Sequence, residues 1–263
     1  MMIEANGINI HYELSGKKHA PVVVLGHSLA CSQMMWWPQL ELLETLFRVL
    51  RYDTRGHGQS EAPPGAYTLE QLVADAIGML DALKLDQVHW VGLSMGGMIG
   101  QGVALGHPDR LCSLVLADTA AIIPAEAQPV WQERIDAAVN GGMQAVAEST
   151  LERWFTPKYL KQNGPEVDRI RQQILATPVA GYVGCSEAIR CLNYLERLDA
   201  VQTRTLIMVG ADDPGTPVSA SEAICAQIKT AKLVVIPQAA HLSNIEQADV
   251  FNDQLMAFLE GRG

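Results

Sequence analysis

The chain has 263 residues, 48% hydrophobic and 18% charged, with 29 acidic against 19 basic side chains and a formal net charge of −10 at pH 7. That length and apolar content suit a large core in one domain with an insertion, or at most two domains, and exclude a disordered chain. The acidity disfavours a phosphate-tracking nucleic-acid binder and an anionic membrane surface as partners.

Residues 1–7 lack the basic and apolar regions of a signal peptide. The five cysteines, Cys31, Cys112, Cys185, Cys191 and Cys225, are odd in number and contain no C-x-x-C pair. This argues against a disulfide framework and a Cys-rich zinc site, and the expected setting is a reducing cytoplasm.

Residues 3–14 alternate around Asn6-Gly7 and predict an antiparallel hairpin at a sheet edge. Residues 21–25 form a β-rich run that ends at Gly26 and the loop Gly26–Ala30. The segment Asp53–Ser60 lacks the Lys-Ser/Thr of a phosphate loop and reads as a tight structural loop braced by Asp53 and Arg55. Leu69, Leu72, Val73, Ala76, Ile77, Leu80 and Leu83 follow helical spacing, started by a Thr68/Gln71 capping box.

An apolar strand at residues 88–91 then runs into Gly92-x-Ser94-x-Gly96, followed by a Gly/Ala-rich helix candidate over 97–105. This is the strand–turn–helix context of a nucleophile elbow. Small residues are needed there because the turn is sharp, and the helix N-terminus brings N–H groups to developing negative charge. The uncharged run 87–108 carries six glycines and several polar residues, so it makes a poor membrane span.

A second buried strand covers 111–117 and ends at Asp118. Residues 121–195 contain no β-rich run and read as a helical cap inserted over the carboxyl edge of the sheet, where ligands bind in open α/β folds. Further strands are predicted at 206–209 and 233–236, and a last helix carries the stripe Ala248, Phe251, Leu255 and Phe258. Alternating strands and helices imply an α/β fold with a mostly parallel sheet.

A serine nucleophile needs a base, and the base needs an orienting acid. Asp213 sits in the loop after the 206–209 strand and fits a G-x-x-D-x-x-x-P spacing from Gly210 to Pro217. Its rivals are the adjacent Asp212 and Asp118. His241 follows the 233–236 strand and is the candidate base. Ser94, Asp213 and His241 then stand in nucleophile–acid–histidine order. The oxyanion hole is expected from the backbone N–H groups of Met95 and Leu29, with His27 bracing the loop. No H-E-x-x-H set and no G-x-G-x-x-G after the first strand are present, so neither a metal nor a dinucleotide cofactor is expected.

These pieces resemble the α/β-hydrolase superfamily across nearly the whole chain. The resemblance implies an eight-stranded, mostly parallel sheet with helices on both faces, a core of residues 1–120 and 196–263, and a helical cap of 121–195. Within the superfamily the chain resembles the 3-oxoadipate enol-lactonases in four places. They are His27–Leu29 with Met35-Trp36 and Pro38-Gln39; Gly92–Met98; Trp131–Arg134 with Arg153–Thr156; and Gly181–Cys185 with Ala188–Arg190. Ala30, Trp37 and Cys191 depart from that pattern, Ala30 and Trp37 flanking the expected oxyanion loop and pocket mouth.

The likeness implies opening of a carboxylate-bearing enol-lactone through an acyl-enzyme, and a small-molecule lactone or ester as partner. Arg134, Arg153 and Arg190 are candidates for the substrate carboxylate, each with an ordinary alternative as a helix arginine paired with Glu133, Glu152 or Glu187. Trp154 is a candidate pocket residue or a cap-packing residue. The alternative function is a carboxylesterase or other ester or lactone hydrolase, perhydrolase-like activity included, with the same triad.

Overall fold

A computed structural model describes residues 1–162 and 164–261. Residues 163, 262 and 263, which fall in the expected cap and core spans, lie outside the described residues.

Eight strands form one sheet: β1 (Met2–Ala5), β2 (Ile8–Gly16), β3 (Val22–Gly26), β4 (Arg48–Tyr52), β5 (Val88–Leu93), β6 (Leu111–Ala117), β7 (Thr205–Gly210) and β8 (Ala231–Ile236). Their spatial order is β1-β2-β4-β3-β5-β6-β7-β8. β1 and β2 pair antiparallel, β2 joins β4 antiparallel, and all later pairings are parallel. The hairpin turn falls at Asn6-Gly7, both at positive φ (49° and 76°), as a primed two-residue turn requires.

The central strands are mostly apolar because both faces are covered. β3, β5, β6 and β7 carry Val23, Val24, Val91, Leu114, Val115, Ile207 and Met208, all fully buried. On the core, helices α1 (Trp37–Glu44), α2 (Leu69–Ala82) and α3 (Met95–Gly106) precede the insertion. The Thr68 hydroxyl caps α2 by accepting from Gln71 N–H at 3.1 Å. Between β6 and β7 lie α4 (Gln128–Gly141), α5 (Gln144–Trp154), α6 (Pro157–Gln162), α7 (Pro165–Ala176) and α8 (Val179–Arg190), with no strand among the described residues of the segment. After β7 come α9 (Val218–Gln227), the single turn α10 (Ser243–Glu246) and α11 (Ala248–Leu259).

Strand β4 carries no apolar run to announce it. Two arginines interrupt RVLRY, and the buried Arg51 is accommodated by an ion pair with Glu13 on β2. The Asp53 loop is braced as the sequence suggests. Asp53 accepts from Gln33 N–H (2.8 Å) and Gln59 N–H (3.0 Å) and contacts His11 Nδ1 (2.9 Å). Arg55 forms a two-point pair with Asp75 at 2.6 and 2.7 Å.

Candidate active site

Ser94 stands at the junction of β5 and α3 with φ 54° and ψ −114°, a strained conformation for a residue with a Cβ. Its carbonyl is held by the Thr119 hydroxyl (2.8 Å) and its N–H by Ala117 O (2.9 Å). The flanking glycines are sterically required. A Cβ on Gly92 would lie 2.1 Å from Gly96 O, and one on Gly96 would lie 2.1 Å from Gly26 O.

His241 and Asp213 arrive from the loops after β8 and β7. Asp213 Oδ2 and His241 Nδ1 are 2.8 Å apart, so the ring proton sits on Nδ1 between them. The other donors to Asp213 are Thr216 Oγ1 (2.6 Å), Thr216 N–H (3.0 Å) and Gly215 N–H (2.8 Å). Burial pushes the Asp213 pKa up, but the His241 charge and the hydrogen bonds from His241 and Thr216 outweigh it, and the net shift is downward. Burial pulls His241 down, while the charge and hydrogen bond of Asp213 lift it above the ordinary histidine value. Thr216 had no sequence signal beyond its place in the same loop.

The two rival carboxylates are elsewhere engaged. Asp212 is exposed, and its N–H binds Ala239 O at 2.9 Å. Asp118 is fully buried and accepts from Gly210 N–H (2.8 Å) and the Ser243 hydroxyl. Burial and the neighbouring Asp213 charge raise its pKa far above the carboxylate range.

The Gly26–Ala30 loop rests on two imidazoles. His27 Nδ1 faces Ser28 O at 2.7 Å and its Nε2 accepts from Thr54 N–H at 2.8 Å. His57 Nδ1 faces Arg55 O at 3.2 Å and its Nε2 accepts from Ala30 N–H at 2.9 Å. Both rings are therefore neutral with the proton on Nδ1. Burial lowers His27 to about 4, and burial, together with the cost of charging two neighbouring rings, lowers His57 to about 3. Ala30 adopts φ 59°, a left-handed conformation that glycine would hold without strain. His27 O accepts Gly96 N–H at 3.0 Å, which ties this loop to the elbow. Among the described residues, neither Leu29 N–H nor Met95 N–H donates to a backbone acceptor outside regular helix and strand bonding.

Ser94, His241, Leu29 and Ala30 line one cavity of about 490 Å³. Its far wall is made by Trp131, Arg134, Thr150, Arg153, Trp154 and Tyr182 from α4, α5 and α8. Arg134 lies over the Trp131 ring (5.1 Å), and Arg153 Nη2 donates to Thr150 Oγ1 (3.0 Å). Burial depresses both guanidinium pKa values, and the Arg134 charge helps bring Arg153 to about 10. The Trp154 ring stacks on His241 with centroids 6.0 Å apart. Tyr182, within electrostatic reach of both arginines, lies in a stretch the resemblance marked without giving it a role.

Two expectations need correction. Arg190 does not line the cavity. Its guanidinium is bound by Gln128 (2.9 Å), Gln132 (2.8 Å) and Glu187, because it ends α8 on the side facing α4. Trp37 begins α1 and is not part of the cavity lining; its ring lies under the Arg169 guanidinium at 5.4 Å. Among the described residues no group of three or more His, Cys, Asp and Glu is arranged to hold a metal, and no helix is long and apolar enough to cross a membrane.

Residues 21–248 match the family model described as alpha/beta hydrolase fold. The chain is 33% identical over 258 residues to 3-oxoadipate enol-lactonase 2 of Acinetobacter baylyi, covering 98% of this chain and 96% of the relative. Its structure superposes on the enol-lactonase of Burkholderia xenovorans with a TM-score of 0.95 at 38% identity, covering 99% of this chain and 100% of that one. A thermophilic esterase of Thermogutta terrifontis, solved with malate bound, gives a TM-score of 0.93 at 30% identity over 99% of this chain and 98% of that one. The elbow, the sheet order and these full-length likenesses together place the chain in the alpha/beta hydrolase family, as an ester-cleaving hydrolase.

Proposed function

We propose that this hydrolase opens a carboxylate-bearing enol-lactone, 3-oxoadipate enol-lactone, to 3-oxoadipate, with Ser94 as nucleophile, His241 as base and Asp213 as orienting acid. The observation that carries this reading is the pair Arg134 and Arg153. Both are half-buried in the wall of the cavity that holds Ser94 and His241, and neither forms a salt bridge among the described residues. A buried cation without a counter-ion is costly, and a ligand carboxylate relieves that cost.

In this scheme Ser94 Oγ attacks the lactone carbonyl as its proton passes to His241 Nε2. The Asp213 carboxylate stabilises the resulting imidazolium. Negative charge on the carbonyl oxygen is met by the N–H groups of Leu29 and Met95, each such donor typically worth about 3 kcal/mol. The ring C–O bond breaks and the enolate leaves; as it ketonises it is protonated on carbon, and the proton held on His241 Nε2 is given up to it directly or through solvent, so that His241 is neutral again. Water, deprotonated by His241, then attacks the acyl-enzyme and releases the dicarboxylate. Residues 121–195 serve as the cap that selects the acyl group, with Trp154 against His241 and Arg134 and Arg153 on the carboxylate.

A second reading is a carboxylesterase, perhydrolase-like activity included. It is favoured by the size of the cavity, about 490 Å³, which is roomy for a six-carbon lactone. The test is the fall of enol-lactone absorbance on adding enzyme, with p-nitrophenyl acetate in parallel. Fast lactone opening with feeble ester cleavage supports the lactonase. Fast ester cleavage without lactone opening gives the second reading.

A further inference from the structure

Glu246 closes the single turn α10, five residues after His241, and its side chain is buried. Its carboxylate has no cation beside it in any ion pair among the described residues and instead gathers hydrogen bonds from two separate parts of the chain. Oε2 accepts from Ala240 N–H at 3.0 Å, immediately before His241. Oε2 also accepts from Thr156 N–H at 3.1 Å, and Oε1 accepts from the Thr156 hydroxyl. On the other side of His241, Leu242 N–H donates to Trp154 O at 3.1 Å. Leu242 is therefore fastened directly to the last residue of α5, and Ala240 is linked through Glu246 to Thr156, two residues beyond it. From that same end, Trp154 stacks on the His241 ring and Arg153 faces the cavity.

We infer that Glu246 is a positioning residue that sets His241 and the Arg153–Trp154 arm of the cavity wall in one register. The inference rests on the serine-hydrolase reading above and adds a coupling to it. A charged acceptor holding three donors in a buried site is strong and directional. Loss of the carboxylate leaves Ala240 N–H and Thr156 N–H unpaired next to the base, and displacement by less than an ångström there slows proton transfer. The same loss leaves the α5 end held to this loop by the Leu242–Trp154 bond alone, so that a ligand carboxylate is met by Arg153 at a less fixed distance from Ser94. Glutamine keeps an acceptor at the Oε2 position, and its amide group can donate to the Thr156 hydroxyl, so Glu246→Gln retains the tie in weakened form.

The experiment measures kcat and KM for two substrates: mono-p-nitrophenyl glutarate, whose acyl group ends in a carboxylate, and neutral p-nitrophenyl butyrate. Active sites are counted by fluorophosphonate titration, so that loss of folded enzyme is removed from kcat. For Glu246→Ala, kcat is expected to fall at least about tenfold on both esters, and the glutarate-to-butyrate KM ratio to rise about fivefold or more. Glu246→Gln should recover most of both losses. Thr156→Val, which removes the hydroxyl bond to Glu246 and leaves the Thr156 N–H bond in place, should raise the same KM ratio by less than Glu246→Ala does, with a smaller fall in kcat. A merely structural glutamate would lower the titrated sites and the melting temperature and leave the KM ratio at the wild-type value in both Glu246→Ala and Thr156→Val; that result overturns the proposal. Should Glu246→Ala not fold, an unchanged ratio in Thr156→Val overturns it alone. Wild-type enzyme that cleaves neither ester and is not labelled at Ser94 removes the serine-hydrolase reading, and the coupling with it.

Discussion

Asp213 touches the His241 ring, at 2.8 Å, and Asp118, buried at the end of the neighbouring strand, does not. Asp118 spends its two oxygens on Gly210 N–H and the Ser243 hydroxyl, and burial favours its protonated form. Asparagine in place of Asp118 reproduces that neutral state, with its oxygen toward Gly210 and its amide toward Ser243. Asp213→Asn instead removes the charge that raises His241 and presents the wrong partner to Nδ1–H. Asp213→Asn is expected to lower kcat by about 10³-fold or more, Asp118→Asn by at most about tenfold, and Asp212→Asn scarcely at all. The kcat/KM profile tests the same point. Its acid limb in wild type should lie above the ordinary histidine value, because His241 must be neutral to act and Asp213 lifts its pKa. A crippled Asp118→Asn with a healthy Asp213→Asn would move the acid to the end of β6.

In the proposed reaction Ser94 is the nucleophile, and it stands on a strained backbone. Ser94→Ala should fold normally and lose at least about a thousandfold in kcat. Ser94→Gly should be equally inactive but at least as stable as Ser94→Ala, because φ 54° with ψ −114° suits glycine. Relief of strain of about 1–3 kcal/mol outweighs the usual glycine penalty of about 0.5–1 kcal/mol. Chemical denaturation of the two variants compares them directly. A markedly less stable Ser94→Gly would show that the elbow is held without strain.

Much of this arrangement was legible in the chain. Asn6-Gly7, the apolar strands, the Thr68 cap and Gly92-x-Ser94-x-Gly96 each carry a local signal, because turn geometry and burial are written in adjacent residues. β4 was not legible, since its buried Arg51 is paid for by Glu13 on another strand. Nor was the fate of Arg190. On a helix, Arg134, Arg153 and Arg190 look alike, and only the packing of α8 against α4 turns Arg190 to Gln128 and Gln132. The seating of α8 on the core is equally a tertiary fact: Gly181 lies so close to Gly56 that a Cβ there would stand 1.8 Å from Gly56 O. Glu246 and Thr156 are ninety residues apart and carry no motif.

The buried histidine pair makes stability sensitive to acid. In the unfolded chain both rings take up protons near 6.5, whereas in the native state His27 waits until about 4 and His57 until about 3. Between 6.5 and about 4 the unfolded state thus holds more protons at these sites, and stability falls as pH falls. The largest slope from the two is about 2.7 kcal/mol per pH unit. Asp118 has the opposite sign, being protonated in the native state where the unfolded carboxyl ionises, and it offsets about half of that slope. Denaturant unfolding at pH 6.5, 5.5 and 4.5 should therefore show a steeper acid loss in Asp118→Asn than in wild type. His57→Gln, which keeps an acceptor for Ala30 N–H without titrating, should show a shallower one. Identical slopes in all three would mean that the imidazoles are already charged or already wet.

Arg134 and Arg153 should trade stability for binding. In the free enzyme the Arg134 charge and burial both oppose the charge on Arg153, which lowers its pKa to about 10. Removing either guanidinium relieves that repulsion, so Arg134→Ala and Arg153→Ala are expected to melt no lower than wild type even though each deletes half-buried side-chain contacts. A ligand carboxylate gains a charge-assisted hydrogen bond of about 1.5–3 kcal/mol from each, so each substitution should raise KM for the enol-lactone or a glutarate monoester by about 10- to 100-fold. KM for p-nitrophenyl butyrate should change far less, since no anion is involved. Arg190→Ala, with its guanidinium tied to Gln128 and Gln132, should leave the ratio of the two KM values at the wild-type level. Equal losses on the charged and the neutral ester in Arg153→Ala would mean that the guanidinium shapes the cavity and does not read the carboxylate. That outcome would favour the general esterase, because the acidic protein offers no other unpaired cation among the residues described as lining this cavity.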